Sequence, residues 1–287
     1  MEGDVDPLMA AITGVLPTQI MEVAKNFPEH LVSLFFLGIA RILPVVVMAP
    51  FFGAKLMPAP ARVAFSIALF LILLPGLLIT VPPLDWSPAL ISYFIKEAAV
   101  GFFIGFLVTI PFNIAQMSGI LIDFQRGSSS LTGQDATTGT QVSSNGILYN
   151  SMLIVIFFWL DGPFIFLDAL FKSYTILPPD QFPAAELFLK GDSFFWQAII
   201  GFMAKIFALA CQLAAPSLLT ILMTDTFLGI INRLAQQVQI SFLGQGLKAF
   251  FGDFALWLAW FFILDQLGKM ALDWLSDLTS ILVLLKP

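Results

Sequence analysis

Five ionisable residues lie where the surrounding sequence gives them no obvious water. Arg41 sits in the middle of the apolar run Leu31–Phe52, Lys96 and Glu97 precede the uncharged run Ala98–Ile122, Asp123 closes that run, and Asp161 follows Ala136–Leu160. A charge at mid-bilayer depth costs about 2.5–3.5 kcal/mol on insertion scales, so such groups usually face a protein interior or a water cavity. Arg41, Lys96, Glu97 and Asp123 therefore form a candidate polar interior. For Lys96 and Glu97 a place at the membrane surface fits the same residues equally well. Asp123 and Arg126 share one helix face at i,i+3 spacing, and Asp265 with Lys269 reads as an ordinary i,i+4 pair. Asp161 and Asp168 are separated by a Gly-Pro break, so helix capping suits them better than an acid/base dyad. With one His and one Cys in the chain, no nucleophile–base pair is close in sequence. His30 reads as an interfacial histidine, and Cys211 has no partner for a disulfide or a metal cluster.

Two uncharged polar stretches carry the other candidate sites. Twelve of the nineteen residues from Gly127 to Asn145 are Gly, Ser or Thr, and Asp135 is the only charge. The first part, Gly127, Ser128, Ser129, Ser130, Leu131, Thr132, Gly133, Gln134 and Asp135, superficially matches a phosphate-cradling loop. The Lys-Ser/Thr pair that would hold a nucleotide is missing after Gly133. A segment this long without structure of its own is either a functional loop or a linker. Small uncharged residues suit a movable obstruction in a pore, and a solvated loop fits the same composition. The second stretch brings Arg233, Gln236, Gln237 and Gln239 together between two apolar segments. Glutamine donates and accepts without charge, so a belt of them can line a narrow, wet constriction. A hairpin tip at the membrane face is the plainer reading. Gly101 and Gly105 form a G-x-x-x-G pair that allows close helix packing.

The elements that must position these residues are membrane helices. Hydrophobic residues make up 59% of the 287, charged residues only 11%, and Phe occurs 31 times. A soluble domain carries nearer a quarter charged residues. A span needs roughly 20 apolar residues. Such segments run over Leu31–Phe52, Val63–Val81, Ser87–Arg126, Ile147–Tyr174, Phe194–Thr224 and Leu247–Leu264, most with a proline inside. Residues 1–27 read as a short amphipathic lead without the marks of a secretory signal. Lys55 with Arg62, and Arg233 with Lys248, mark cytoplasmic turns, giving about six spans with the N-terminus outside. A net charge of −6 with no basic run argues against a nucleic-acid partner. The reading is an all-α, polytopic membrane protein of kinked helices and helical hairpins. It is one helical domain over 1–287, divided at 28–126, 127–145, 146–224 and 225–287. Broken helices and intramembrane charges would also suit a secondary transporter using Lys96, Glu97, Asp123 and Asp161. Transporter halves usually repeat, and these do not.

Taken in order, three blocks resemble the SctT/FliR/SpaR family of type III secretion and flagellar export-apparatus proteins. They are RILPVVVMAPFFG with PARVAFSIALFLILLP (Arg41, Pro44, Pro50, Arg62, Pro75), KEAAVGFFIGFLVTIPFNIAQMSGILIDFQRG (Glu97, Gly101, Gly105, Gly119, Gly127), and APSLLTILMTDTFLGIINRLAQQVQISFLGQGLK (Pro216, Gly229, Arg233, Gln237, Phe242, Lys248). Gln236 stands where the family usually has proline, which frees the backbone of that turn. The resemblance implies a non-enzymatic subunit of a hetero-oligomeric export gate in the bacterial inner membrane, without a cofactor. It implies SctR-, SctS- and SctU-type membrane proteins and membrane lipid as partners, and unfolded secreted proteins as cargo. It also implies that Gly127–Asn145 plugs the pore and that Arg233–Gln239 narrows its cytoplasmic entrance.

Overall fold

The structure, a computed structural model, describes residues 28–52, 57–82, 84, 86–127, 143–183, 194–234 and 240–284. The N-terminal lead, Ser128–Asp135 of the polar loop, and Gln236, Gln237 and Gln239 lie outside them. Regular structure among the described residues is helical throughout. In chain order it comprises α1 Pro28–Met48, a 3-10 turn Pro50–Phe52, α2 Ala59–Thr80, α3 Ala89–Gln125 and α4 Ser144–Trp159. There follow α5 Gly162–Ile176, α6 Phe194–Leu234, α7 Ile240–Leu258 and α8 Trp260–Leu284. Helices α1, α2, α3 and α6 are each long and apolar enough to cross a membrane. Counting the broken pairs α4–α5 and α7–α8 as one span each raises the number to six. The chain is an all-α, multi-pass membrane protein.

Local chemistry explains where the helices begin, bend and stop. Pro28 opens α1 with Glu29 in its first turn, where a missing N–H costs nothing and a carboxylate meets the positive end of the helix dipole. Pro44, Pro75, Pro111 and Pro216 lie inside α1, α2, α3 and α6. Each removes one ladder hydrogen bond, and the helix continues through it. Helix α4 is capped by Leu160, and Asp161 follows with φ 55°, the left-handed conformation that Asp tolerates better than most side chains. Asp161 therefore sits where a C-terminal glycine usually does. Helix α6 continues ten residues past Thr224, because Asp225–Leu234 is more polar but contains no helix breaker stronger than Gly229. The apolar region Leu247–Leu264, read from sequence as one piece, is bent by 65° between α7 and α8. Neither Gly nor Pro marks that break.

Two compact units emerge, Met1–Thr109 with Pro163–Gln197 and Leu275–Pro287, and Ile110–Gly162 with Ala198–Trp274. In the first, Leu34, Ile42, Val46, Leu69, Phe70, Leu73, Leu77, Leu78, Val81 and Tyr174 form a buried cluster. The side chain of Phe70 fills the space a Cβ on Gly38 would need, so α1 and α2 approach over that glycine. Phe51 and Phe166 meet edge to face at 5.2 Å between centroids. In the second unit Phe112 packs on Phe157 at 5.6 Å and Phe202 on Trp274 at 5.5 Å. There Ser217 donates its hydroxyl to the Gly252 carbonyl at 3.0 Å, joining α6 to α7.

Candidate functional site

Gly101 and Gly105 set the geometry of the first unit's polar centre. A Cβ on Gly101 would overlap the Arg41 carbonyl, and one on Gly105 would press on Met48 and Pro44. Helix α3 therefore lies against α1 at backbone distance, and Glu97 reaches Arg41. Both side chains are fully buried, with 0% exposure. The guanidinium grips the carboxylate bidentately, Nε donating to Oε2 at 2.5 Å and Nη2 to Oε1 at 2.8 Å. Nη1 donates to the Ser173 carbonyl at 2.9 Å and to its hydroxyl at 3.2 Å, while Nη2 also donates to the Leu177 carbonyl at 2.8 Å. All five N–H groups of Arg41 thus have acceptors. The Tyr174 ring lies 4.1 Å from the guanidinium carbon, and its hydroxyl donates to the Gly38 carbonyl at 3.1 Å.

Lys96 completes this centre. It is buried, and its ammonium donates to the carbonyls of Pro178, Pro179 and Gln181, each at 3.0 Å, with Glu97 Oε1 at 2.6 Å. Those carbonyls, with those of Ser173 and Leu177, belong to the C-terminal end of α5 and the turn after it. Two cations therefore cap the negative end of one helix dipole. The formal excess of one positive charge is offset by oriented carbonyls, with the Asp180 carboxylate adding to them from the same turn. A site so completely satisfied holds helices together and has no donor left over for a substrate. Sequence reading marked Arg41, Lys96 and Glu97 but missed Tyr174 and the turn at Pro178–Gln181. The Pro178-Pro179 pair was the available signal, since helices stop before such a step.

His30 is buried at the start of α1. Its Nδ1 accepts from the Leu84 backbone N–H at 3.2 Å, and its Nε2 has no hydrogen-bond partner among the described residues.

A second polar centre occupies the other unit, around Asp123. The carboxylate accepts from Ser143 Oγ at 2.6 Å, from the Asn145 backbone N–H at 3.2 Å and from Asn145 Nδ2 at 3.0 Å. It also pairs with Arg126. Arg126 Nη1 reaches Asp253 Oδ1 on α7 at 2.5 Å. Ser143 is the N-cap of α4, its oxygen accepting from Gly146 N–H at 2.9 Å. Gly127, at the C-terminal end of α3, has φ 77°, which suits a residue without a Cβ. Nearby, Arg126, Gly127, Asp225, Asn232, Gln245 and Lys248 line an open cavity of about 350 Å³. Asp225 and Lys248 form an ion pair across it. Arg233 is exposed in the last turn of α6. Ser143, Asn145 and Asp253 were not marked individually from sequence, although a serine three residues before a glycine-containing apolar run is a readable N-cap. Asp161 is exposed, Asp168 pairs with Lys172 at 3.0 Å, and Lys269 pairs with Asp265 at 2.6 Å.

Comparison with known proteins gives consistent results. The model of a family described as bacterial export proteins, family 1, matches residues 32–273. The chain is similar to the surface presentation of antigens protein SpaR of Salmonella typhimurium, 30% identical over 210 residues, covering 73% of this chain and 76% of the relative. It is similar to the flagellar biosynthetic protein FliR of Bacillus subtilis, 30% identical over 218 residues, covering 75% and 81%. The SpaR protein of Shigella flexneri is 25% identical over 244 residues, covering 83% and 90%.

Proposed function

The chain belongs to the bacterial export proteins, family 1, and from that premise we propose that it is a non-catalytic subunit that forms and seals a protein-translocation pore in the bacterial inner membrane. Its relatives are components of type III secretion and flagellar export systems, so a place in a protein-export apparatus follows from membership. On the proposed reading it assembles with SctR-, SctS- and SctU-type membrane proteins and passes unfolded secreted proteins. Within Gly127–Asn145, residues 128–142 plug the lumen, the last residues being the N-cap and first turn of α4, and Arg233 with Gln236, Gln237 and Gln239 narrows the cytoplasmic entrance.

The observation that carries this reading is the joint at Asp123. A long, nearly uncharged stretch leaves α3 and returns at α4, and its two ends are tied to a single buried carboxylate. Anchored ends with small residues between them suit an obstruction that must yield to polypeptide yet return. A second observation supports a hetero-oligomer. Only 28% of the apolar stretch in α6 is buried within the chain, and Gln212 is exposed along that helix. An amide at such a position favours contact with other protein subunits over contact with lipid.

A solute-coupling role on Lys96, Glu97, Asp123 and Asp161 draws no support from the geometry, since the first three are each held by structural partners and Asp161 is exposed at the α4–α5 break. Deleting residues 128–142 in the assembled complex, with Ser143 retained, tests the plug. Ion conductance of reconstituted complexes should rise well above the wild-type leak; wild-type conductance in a correctly assembled deletion complex overturns the assignment.

A further inference from the structure

The Asp123 centre does more than bury a charge. Four donors converge on two oxygens: Arg126 Nη2 and Asn145 Nδ2 on Oδ1, and Ser143 Oγ and Asn145 N–H on Oδ2. One donor, Arg126, directly follows α3, and the other three are at the start of α4. Beneath them the helices touch along their backbones, for a Cβ on Gly119 would overlap Asn145 and Gly146, and one on Gly146 would lie 2.9 Å from the Gln116 carbonyl. The exit from α3 and the entry to α4 are therefore fixed by side-chain bonds and by close packing together. A different joint leaves this centre through Arg126, whose second nitrogen holds Asp253 of α7. Its chemistry is weaker. Asp123 is 8% exposed and multiply bonded, whereas Asp253 is 57% exposed. Half-exposed ion pairs are screened and readily exchanged for water.

We propose that Asp123 is a positioning residue that clamps the two chain ends flanking residues 128–142 at one fixed separation, and that Arg126 ties this clamp to α7 through a pair at Asp253 that yields first. Displacement of α7 then breaks the Arg126–Asp253 pair while the two ends stay together. The proposal deepens the plug reading and rests on it only for its conductance readout.

Pulsed EPR on the assembled complex tests both joints after Cys211→Ser. Labels at Phe124→Cys and Ser144→Cys read the clamp, and labels at Phe124→Cys and Phe251→Cys read the tie to α7. In the wild type both distance distributions are narrow. Asp123→Asn should about double the width of the first, and Ser143→Ala should broaden it less, as local opening spreads from a lost bond. Asp253→Asn should leave the first distribution unchanged and broaden the second.

If Asp123→Asn fails to assemble, Ser143→Ala decides. An unchanged first distribution overturns the clamp, including where the melting temperature falls, because that marks a merely structural contribution. Broadening of the first distribution by Asp253→Asn overturns the claimed order of release. Conductance separates this proposal from the plug reading: a broadened clamp with wild-type leak supports the clamp and sinks the plug, and a broadened clamp with raised leak supports both.

Discussion

Arg41 shows what a single side chain can do when each of its donors has a use. Its guanidinium holds a carboxylate on α3 and two carbonyls at the end of α5. Removing one partner from a buried pair typically costs about 3–5 kcal/mol, because the other charge is left unpaired. Glu97→Gln or Arg41→Leu should therefore lower stability by about that amount, measured as thermal unfolding of the purified complex. Replacing such pairs with apolar residues often restores stability, but here it should not. In Arg41→Met with Glu97→Leu the Leu177 carbonyl loses the guanidinium donor, while the Ser173 carbonyl keeps the Leu177 N–H at 3.0 Å; a buried unsatisfied group costs about 1–3 kcal/mol. The double variant should stay below the wild type by about that margin, and full recovery would refute the carbonyl role. Arg41→Lys should also fail, since an ammonium brings three donors to a seat built for five.

At the scale of elements, glycines mark where helices need each other's backbones. Gly101→Ala would drive a methyl group into the Arg41 carbonyl and should cost about 1–3 kcal/mol through overpacking. Gly201→Ala meets nothing within 4 Å and should stabilise α6 by up to about 1 kcal/mol. Comparing the two melting temperatures checks both signs. At the α4–α5 break, Asp161→Gly should be neutral or stabilising. Asp161→Val should destabilise by about 1–2 kcal/mol, because a β-branched side chain resists positive φ. Much of this layer was legible in the sequence. Apolar runs, the Gly162-Pro163 step and the G-x-x-x-G pair announced helices, the α4–α5 bend and a close contact. The α7–α8 bend was not legible, because tertiary packing produced it without a breaker residue. Nor was the identity of Arg41's partners, since they lie 56 to 136 residues away and periodicity carries no such information.

At the scale of the whole molecule, many large apolar side chains of the described residues are left exposed. Phe250, Phe254, Trp257, Phe261 and Phe262 are exposed on α7 and α8, in addition to the open face of α6. Expressed alone, the protein should elute from size exclusion as a broad aggregate. Coexpression with SctR- and SctS-type subunits should convert it to one sharp, larger species; a monodisperse single chain in mild detergent would contradict the assembly reading. The long reach of the Arg41 contacts also bears on how the chain is made. Arg41 leaves the ribosome 132 residues before Ser173, and at about 5–20 residues per second that is a wait of roughly 7–26 s. Until Glu97 follows 56 residues later a nascent helix carries an uncompensated cation into the insertion machinery, and the carbonyl part of its seat is still unwritten for the rest of the interval. Chains stalled before residue 173 should consequently linger at the insertase, and biogenesis rather than the finished fold becomes the step most sensitive to Arg41.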